Sequence, residues 1–331
     1  LASFRLFFYP FNANRKIIKL REDPYPYAMT IYHRRNFIKQ TAVAIAALGM
    51  AHPLAALARK NYKLSFSTLG CPKWSFKEIV AFAAKHHYQG IEIRGIQGEL
   101  DLTKCPAFSK GNIQGSIQLL KDNGLQIVGL GSSAKMHVKE ETLRKKNLDE
   151  AKQFIDLAGT LNCEAVRVFP DKLPAEVGRQ ESMDLISAGL TALGNYAEGT
   201  KVKVWLESHG DLVYADDLLA VMNNVDKRNV ALIWDVFNMW IKTKESPADV
   251  YAKLQPHIQH VHLKDGVLGN GKITYVLFGK GEAPNREALS VLQQAAYSGF
   301  YSFEWEKMWH PEIEEPEVAF AHFAKAVKGY L

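Results

Sequence analysis

The sequence predicts a single (β/α)8 barrel over residues 60–331. Three observations carry this reading. From Lys60 onward, short apolar runs alternate with amphipathic stretches, the pattern of a parallel sheet whose strands are joined by helices. The alternation repeats eight times in about 270 residues, close to the roughly 250 typical of such barrels. The first strand is followed by STLGCP from Ser67, not the glycine-rich turn of a doubly wound open sheet.

Taken in order, strand one is 64–67, and Ser75 with Glu78 makes a capping box that starts the first helix. Strand two is 91–94, followed by a long loop and a helix that stops at Asn123-Gly124. Strand three is 126–130, with a long helix over about 139–161. Strand four is 165–169, with a helix over about 182–198. Strand five is 202–207 with a helix over 214–225, and strand six is 230–235 with a helix over 247–254. Strand seven is 258–264, followed by a helix from about Asn285. Strand eight is 301–305, and 316–330 supplies the last helix.

The formal charge of +6 depends on where the charges lie. Residues 1–59 hold nine of the 41 basic residues and two of the 35 acidic ones. That leaves 32 basic against 33 acidic residues in the remainder, a net of −1. Such a body has no basic patch to attract nucleic acid, and no nucleic-acid-binding motif is present. Cys71, Cys105 and Cys163 have no metal-binding spacing and read as small apolar residues.

Residues 29–58 resemble a twin-arginine export signal. HRRNFIK from His33 carries Arg34 and Arg35, the apolar run 41–50 is too short to span a bilayer, and Ala56-Leu57-Ala58 makes a cleavage site. Residues 1–28 precede a plausible initiator, Met29, and read as an upstream extension without a fold. The expectation is an exported, periplasmic protein that meets a membrane only through this signal.

The chemistry concentrates in the last third. Four apolar runs each end in a metal-competent side chain: Glu207, Asp235, His262 and Glu304. Their spacings of 28, 27 and 42 residues match successive βα units of roughly 30 or more. Barrel active sites lie at the C-terminal strand ends, so four such tips can meet at one cation. Because i and i+2 share a strand face, Val204, Leu206, Leu232, Trp234, Val261, Leu263, Phe303 and Trp305 should pack outward against helices. Glu92 with Arg94, and His260 with His262 and Lys264, share the inner face. Three carboxylates and one imidazole suit Mn, Mg or Co, with Zn tolerated. The competing reading is a set of strand-end charges that pair with one another.

The stretch 64–330 resembles the sugar phosphate isomerase/epimerase family, the xylose-isomerase-like barrels. The resemblance rests on GIEIRG from Gly90, WLESHG from Trp205, WDVFN from Trp234, HVHLKD from His260, GKGEAP from Gly279 and GFYSFEWE from Gly299. It implies that Glu207, Asp235, His262 and Glu304 ligate one divalent ion, and that Glu207 and Glu304 double as acid and base. The implied reaction is isomerisation or epimerisation of a sugar or keto sugar through an enediolate. A lyase acting on an oxidised glycoside would use the same proton abstraction, and a non-catalytic exported carbohydrate-binding barrel is the third reading. A glutamate used as a base should have a raised pKa. Where such epimerases often carry a His three residues after the metal-binding Asp, this chain has Asn238.

Arg94, Arg167, His209, Asn238 and Lys264 are the candidate substrate-binding residues, Arg94 and Arg167 for an anionic or hydroxyl-rich group. Lys264 either polarises a carbonyl or pairs with a strand-end carboxylate. The glycines of GKGEAP could cradle a phosphate, but a turn is the better reading. An apurinic endonuclease would need many His ligands from the early strands, and strands two to four offer none. The expected partner is a small carbohydrate, with a homo-oligomer possible.

Overall fold

The order of side chains along each strand decides the architecture. The structure is a computed structural model and describes residues 62–331, within a compact unit of Lys60–Leu331. The predicted export signal, 29–58, and the predicted extension before it lie outside the described residues. Ten strands are described: β1 (Lys63–Ser67), β2 (Gly90–Ile93), β3 (Gln126–Lys135), β4 (Ala165–Phe169), β5 (Lys203–Glu207), β6 (Val230–Asp235), β7 (Ile258–Leu263), β8 (Gly266–Gly269), β9 (Lys272–Tyr275) and β10 (Phe300–Phe303). Eight of them close into a parallel barrel in the order β1-β10-β7-β6-β5-β4-β3-β2. The predicted (β/α)8 fold is therefore the observed one.

Alternation sorts the strand residues into two cores. Val128, Ala165, Trp205, Ala231, Ile233 and Phe300 form an apolar plug inside the barrel. The eight residues predicted to face outward all belong to the larger core between strands and helices. Trp205 is 2% exposed, and an aromatic of its size buries about 150–250 Å². The plug fills the lower barrel, so the polar residues further along the same strands are raised towards its upper mouth.

The local signals behave as their chemistry requires. Ser75 accepts from Glu78 N at 3.4 Å while Glu78 accepts from Ser75 N at 2.7 Å, and the helix Phe76–Lys85 starts there. The helix Ile113–Asp122 stops before Gly124, whose φ of +64° suits a residue without Cβ.

Three features depart from the sequence reading. Strand three runs on to Lys135. A helix, Val236–Thr243, follows β6 directly, capped by Asp235, whose carboxylate accepts from Asn238 N at 2.8 Å. The strands β8 and β9 form an antiparallel hairpin after β7. GKGEAP does wrap an anion, but the anion is the chain's own. Asp265 accepts from Gly279 N at 2.8 Å, Gly281 N at 3.0 Å and Ala283 N at 3.1 Å. A Cβ on Gly281 would lie 2.2 Å from Asp265 Oδ1, so this loop closes only around glycine. Among the described residues no helix is long and apolar enough to cross a membrane.

Candidate metal centre

Glu207 ends β5 and Asp235 ends β6, His262 lies near the end of β7, and Glu304 follows β10 directly. In barrel order the four come from adjacent strands, with the two glutamates at the ends of the arc. One ligand atom from each lies within 4.8 Å of all the others, and all four residues are buried. Opposite ligands of a hard octahedral cation with bonds near 2.1 Å are about 4.2 Å apart, so a small contraction would close the set around an ion.

The hydrogen bonding tests that fit. Glu207 Oε1 and His262 Nδ1 are buried without a hydrogen bond, and Asp235 Oδ2 meets only the Lys264 ammonium, at 2.8 Å. Leaving such groups unsatisfied is costly unless something polar or charged joins them. His262 Nδ1 stands 3.4 Å from Glu207 Oε1 and 3.4 Å from Glu304 Oε1. The orphaned atoms point into one space with the donor character of a divalent-cation site.

Charge points the same way. The carboxylates of Glu92, Glu207, Asp235, Glu304 and Glu306 face three fixed cations, Arg94, Arg167 and Lys264. With every group ionised and His262 neutral, that is an excess of two negative charges, which one divalent ion cancels.

Titration reflects this crowding. Burial, with Glu304 and Glu207 nearby, pushes the Asp235 carboxyl up to about 7 despite Lys264. Burial also raises Glu306, beyond what Lys264 offsets. The raised pKa expected for Glu207 is not found. Burial pushes it up, but the Arg167 guanidinium and His262 outweigh burial and hold it well below the usual carboxylate range. His262 itself is raised, because Glu92 and Glu304 outweigh its burial.

Of the remaining candidates, Arg94, Arg167 and His209 line a cavity of about 280 Å³ that also touches Glu207 and Glu304. Arg167 is bonded to Glu207, and its Nη1 donates to Ser132 O at 3.0 Å. Arg94 donates to Gly131 O at 3.3 Å and Ser133 Oγ at 3.0 Å, and it lines the cavity. Burial and the neighbouring Arg167 push the Arg94 guanidinium down to about 10. His209 also lines the cavity, edge-on to Phe169 at 5.2 Å, with its Nδ1 buried and unbonded. Gly210 beside it has φ +63°, and a Cβ there would come within 2.1 Å of Asp171 O. Asn238 is placed differently: its side-chain amide donates to Ser208 O at 3.4 Å, and it does not line the cavity. Lys264 takes the pairing alternative, with Nζ 2.8 Å from Asp235 Oδ2, 2.6 Å from Glu304 Oε2 and 2.7 Å from Glu306 Oε1.

Sequence reasoning passed over Glu306, Lys135 and Asp171, which also line the cavity. The signal for Glu306 was its position two residues after Glu304, which would keep it on the same side if the extended chain ran on.

The sequence matches the xylose isomerase-like TIM barrel family over residues 80–325. The chain belongs to that family. A 3-dehydroshikimate dehydratase of Bacillus anthracis is 24% identical over 196 residues, 58% of this chain. The chain spans less than two thirds of the curated relatives it matches, 61% and 66% of their lengths. Among solved structures, a D-tagatose 3-epimerase-like protein superposes with a TM-score of 0.64 at 22% identity, covering 81% of this chain and 96% of its own. An IolI protein with a bound zinc atom superposes with a TM-score of 0.66 at 20% identity, covering 81% and 96%. At these identities the structural likeness speaks for the fold.

Proposed function

We propose that the chain is a divalent-metal-dependent isomerase or epimerase of a sugar or keto sugar. The observation that carries this is the convergence of Glu207, Asp235, His262 and Glu304 within 4.8 Å, with Glu207 Oε1 and His262 Nδ1 buried and without a hydrogen bond. These four residues would hold Mg, Mn or Co, or Zn as in the IolI structure. A bound divalent ion supplies Lewis acidity to a carbonyl oxygen, which acidifies the adjacent C–H.

The chain's own groups do the rest. Glu207, kept ionised by Arg167, is ready to accept the proton from that carbon. Glu304, at the other end of the arc, returns a proton from the opposite side. Return to the same carbon from the other face gives the epimer, and return to the neighbouring carbon gives the isomer. Arg94 and His209 donate to substrate hydroxyls from the cavity wall. A cavity of about 280 Å³ suits a single sugar ring.

One observation favours a second reading. The curated relative named a dehydratase points to elimination, which begins with the same proton abstraction and ends with loss of a β-hydroxyl. The twin-arginine-like segment 29–58 supports an exported enzyme, for which free sugars or oxidised glycosides are the available substrates.

The test is metal analysis followed by a panel of keto sugars and 3-keto glycosides in deuterated buffer. Incorporation of deuterium at carbon with recovery of an epimer or isomer supports the first reading, and loss of water supports the second. Glu207→Gln and Glu304→Gln should each abolish the exchange. Undiminished exchange in either removes that residue as a proton carrier.

A further inference from the structure

A second buried cluster shares His262 with the four candidate ligands, and its other members have no part in the proposed chemistry. Glu92 on β2 meets His260 and His262 on β7 and Ser302 on β10. Glu92 Oε2 is 3.0 Å from His260 Nε2 and 2.9 Å from His262 Nε2, and it accepts from Ser302 Oγ at 3.1 Å. Glu92 is 3% exposed and the other three are fully buried. His260 lies flat on Trp205, with ring centroids 4.8 Å apart and planes 10° apart, so its edge is aimed at Glu92 by stacking.

An ionised carboxylate only accepts hydrogen bonds, so each ring nitrogen facing it must carry a proton. Ser302 Oγ, His260 Nε2 and His262 Nε2 all close on the single oxygen Oε2 of Glu92, at 3.1, 3.0 and 2.9 Å, the arrangement of donors around an accepting carboxylate. The proton on His262 is therefore fixed at Nε2. The other ring nitrogen, Nδ1, faces Glu207 and Glu304 and has no hydrogen bond of its own.

We propose that Glu92 is a positioning residue. It locks the ring orientation and the Nε2–H tautomer of His262 so that Nδ1 is presented as the metal ligand, and His260 and Ser302 hold Glu92 in place. This rests on the reading that Glu207, Asp235, His262 and Glu304 hold a divalent cation. A hydrogen-bonded carboxylate behind a ligating imidazole fixes its tautomer and raises its donor strength, and loss of such a partner typically weakens metal binding 10–100-fold.

The same cluster could instead hold a second ion, with His262 bridging two metals. That would strip the protons from both Nε2 atoms. The convergence of two ring nitrogens and a hydroxyl on one carboxylate is the geometry of donors around an acceptor.

The experiment uses chelator-stripped full-length protein titrated with Zn²⁺ against a chromophoric competitor, in wild type, Glu92→Gln and His260→Gln. The expected result is one ion per chain in all three, with Kd about 10–100-fold weaker for Glu92→Gln and a smaller loss for His260→Gln. Melting of the metal-free variants, recorded alongside, separates misfolding from lost positioning. Nitrogen-15 NMR of Zn²⁺-loaded wild type should show His262 protonated at Nε2 and not at Nδ1, a readout that needs no variant to fold. One ion bound with unchanged affinity in Glu92→Gln overturns this proposal alone. Two ions per wild-type chain, or a deprotonated Nε2 in the loaded protein, also overturns it. No binding by wild type defeats the parent reading and this proposal with it.

Discussion

Lys264 is buried, 1% exposed, and its ammonium is shared by Asp235, Glu304 and Glu306. Removing one partner of a buried ion pair leaves an uncompensated charge and costs about 3–5 kcal/mol. Lys264→Met should lower the stability of metal-free protein by that amount, read from urea unfolding, and a saturating divalent ion should restore part of it. An unchanged midpoint would mean that the carboxylates take up protons instead. Asp235 gives a pH dependence. Its folded pKa of about 7 lies above the unfolded value near 3.9. The stability it contributes to metal-free protein is therefore fully present below about pH 4 and is lost as pH rises through about 7. Ligation needs the ionised form, so metal affinity should rise from pH 6 to pH 8 and then flatten. Calorimetric titration at several pH values reads this, and a flat profile would remove Asp235 as a ligand. At this scale the four ligand tips were legible because each is a charged residue ending an apolar run. Lys264 was legible as inward-facing, but its partners were not, since pairing depends on strand neighbours far apart in sequence. Asn238 was misjudged as a cavity residue because the helix Val236–Thr243, which turns its amide to Ser208, went unread.

Each βα unit carries a strand that could be read and a connection that could not. Strands show in sequence because their outward residues are uniformly apolar, as Val204, Leu206, Trp234 and Leu263 are. The hairpin of β8 and β9 has no such face, and Leu268 near its turn is 43% exposed. Val236–Thr243 was missed because it starts directly after the last residue of β6, with no linker to mark the change. The Asp265 clamp is the element-level device that holds the β7 connection. Its carboxylate also accepts from Gly266 N at 3.0 Å, so four backbone amides converge on one side chain. Hydrogen bonds to a charged group contribute about 1.5–3 kcal/mol each, partly shared when several use one carboxylate. Asp265→Ala should destabilise the protein by about 2–4 kcal/mol. It should also raise hydrogen exchange at Gly279, Gly281 and Ala283 while leaving exchange in β1–β4 near wild type. Uniform loss of protection would show instead that the clamp supports the whole barrel.

The barrel as a whole places an apolar plug under a polar mouth, and that mouth carries excess negative charge when all its groups are ionised. Burying like charges is unfavourable unless they are neutralised, and metal-free protein can relieve the repulsion only by taking up protons at Asp235, Glu306 or His262. A divalent ion relieves it at neutral pH without them. An ion that binds the folded state alone stabilises it by RT ln(1 + [L]/Kd), about 2.7 kcal/mol at one hundred times Kd. For a domain of this size each kcal/mol moves Tm by about 2–4 °C, so chelation should lower Tm by roughly 5–10 °C. Restoring Mn²⁺ or Mg²⁺ should reverse the change, whereas an equal ionic strength of NaCl should not. The shift should grow from pH 6 to pH 8, following the protons displaced at Asp235. Asp235→Asn should melt near the chelated wild type and respond weakly to added ion. If wild type melts identically with and without chelator at pH 8, the charge balance is met within the protein, and the four strand tips form a salt-bridged core instead of a metal centre.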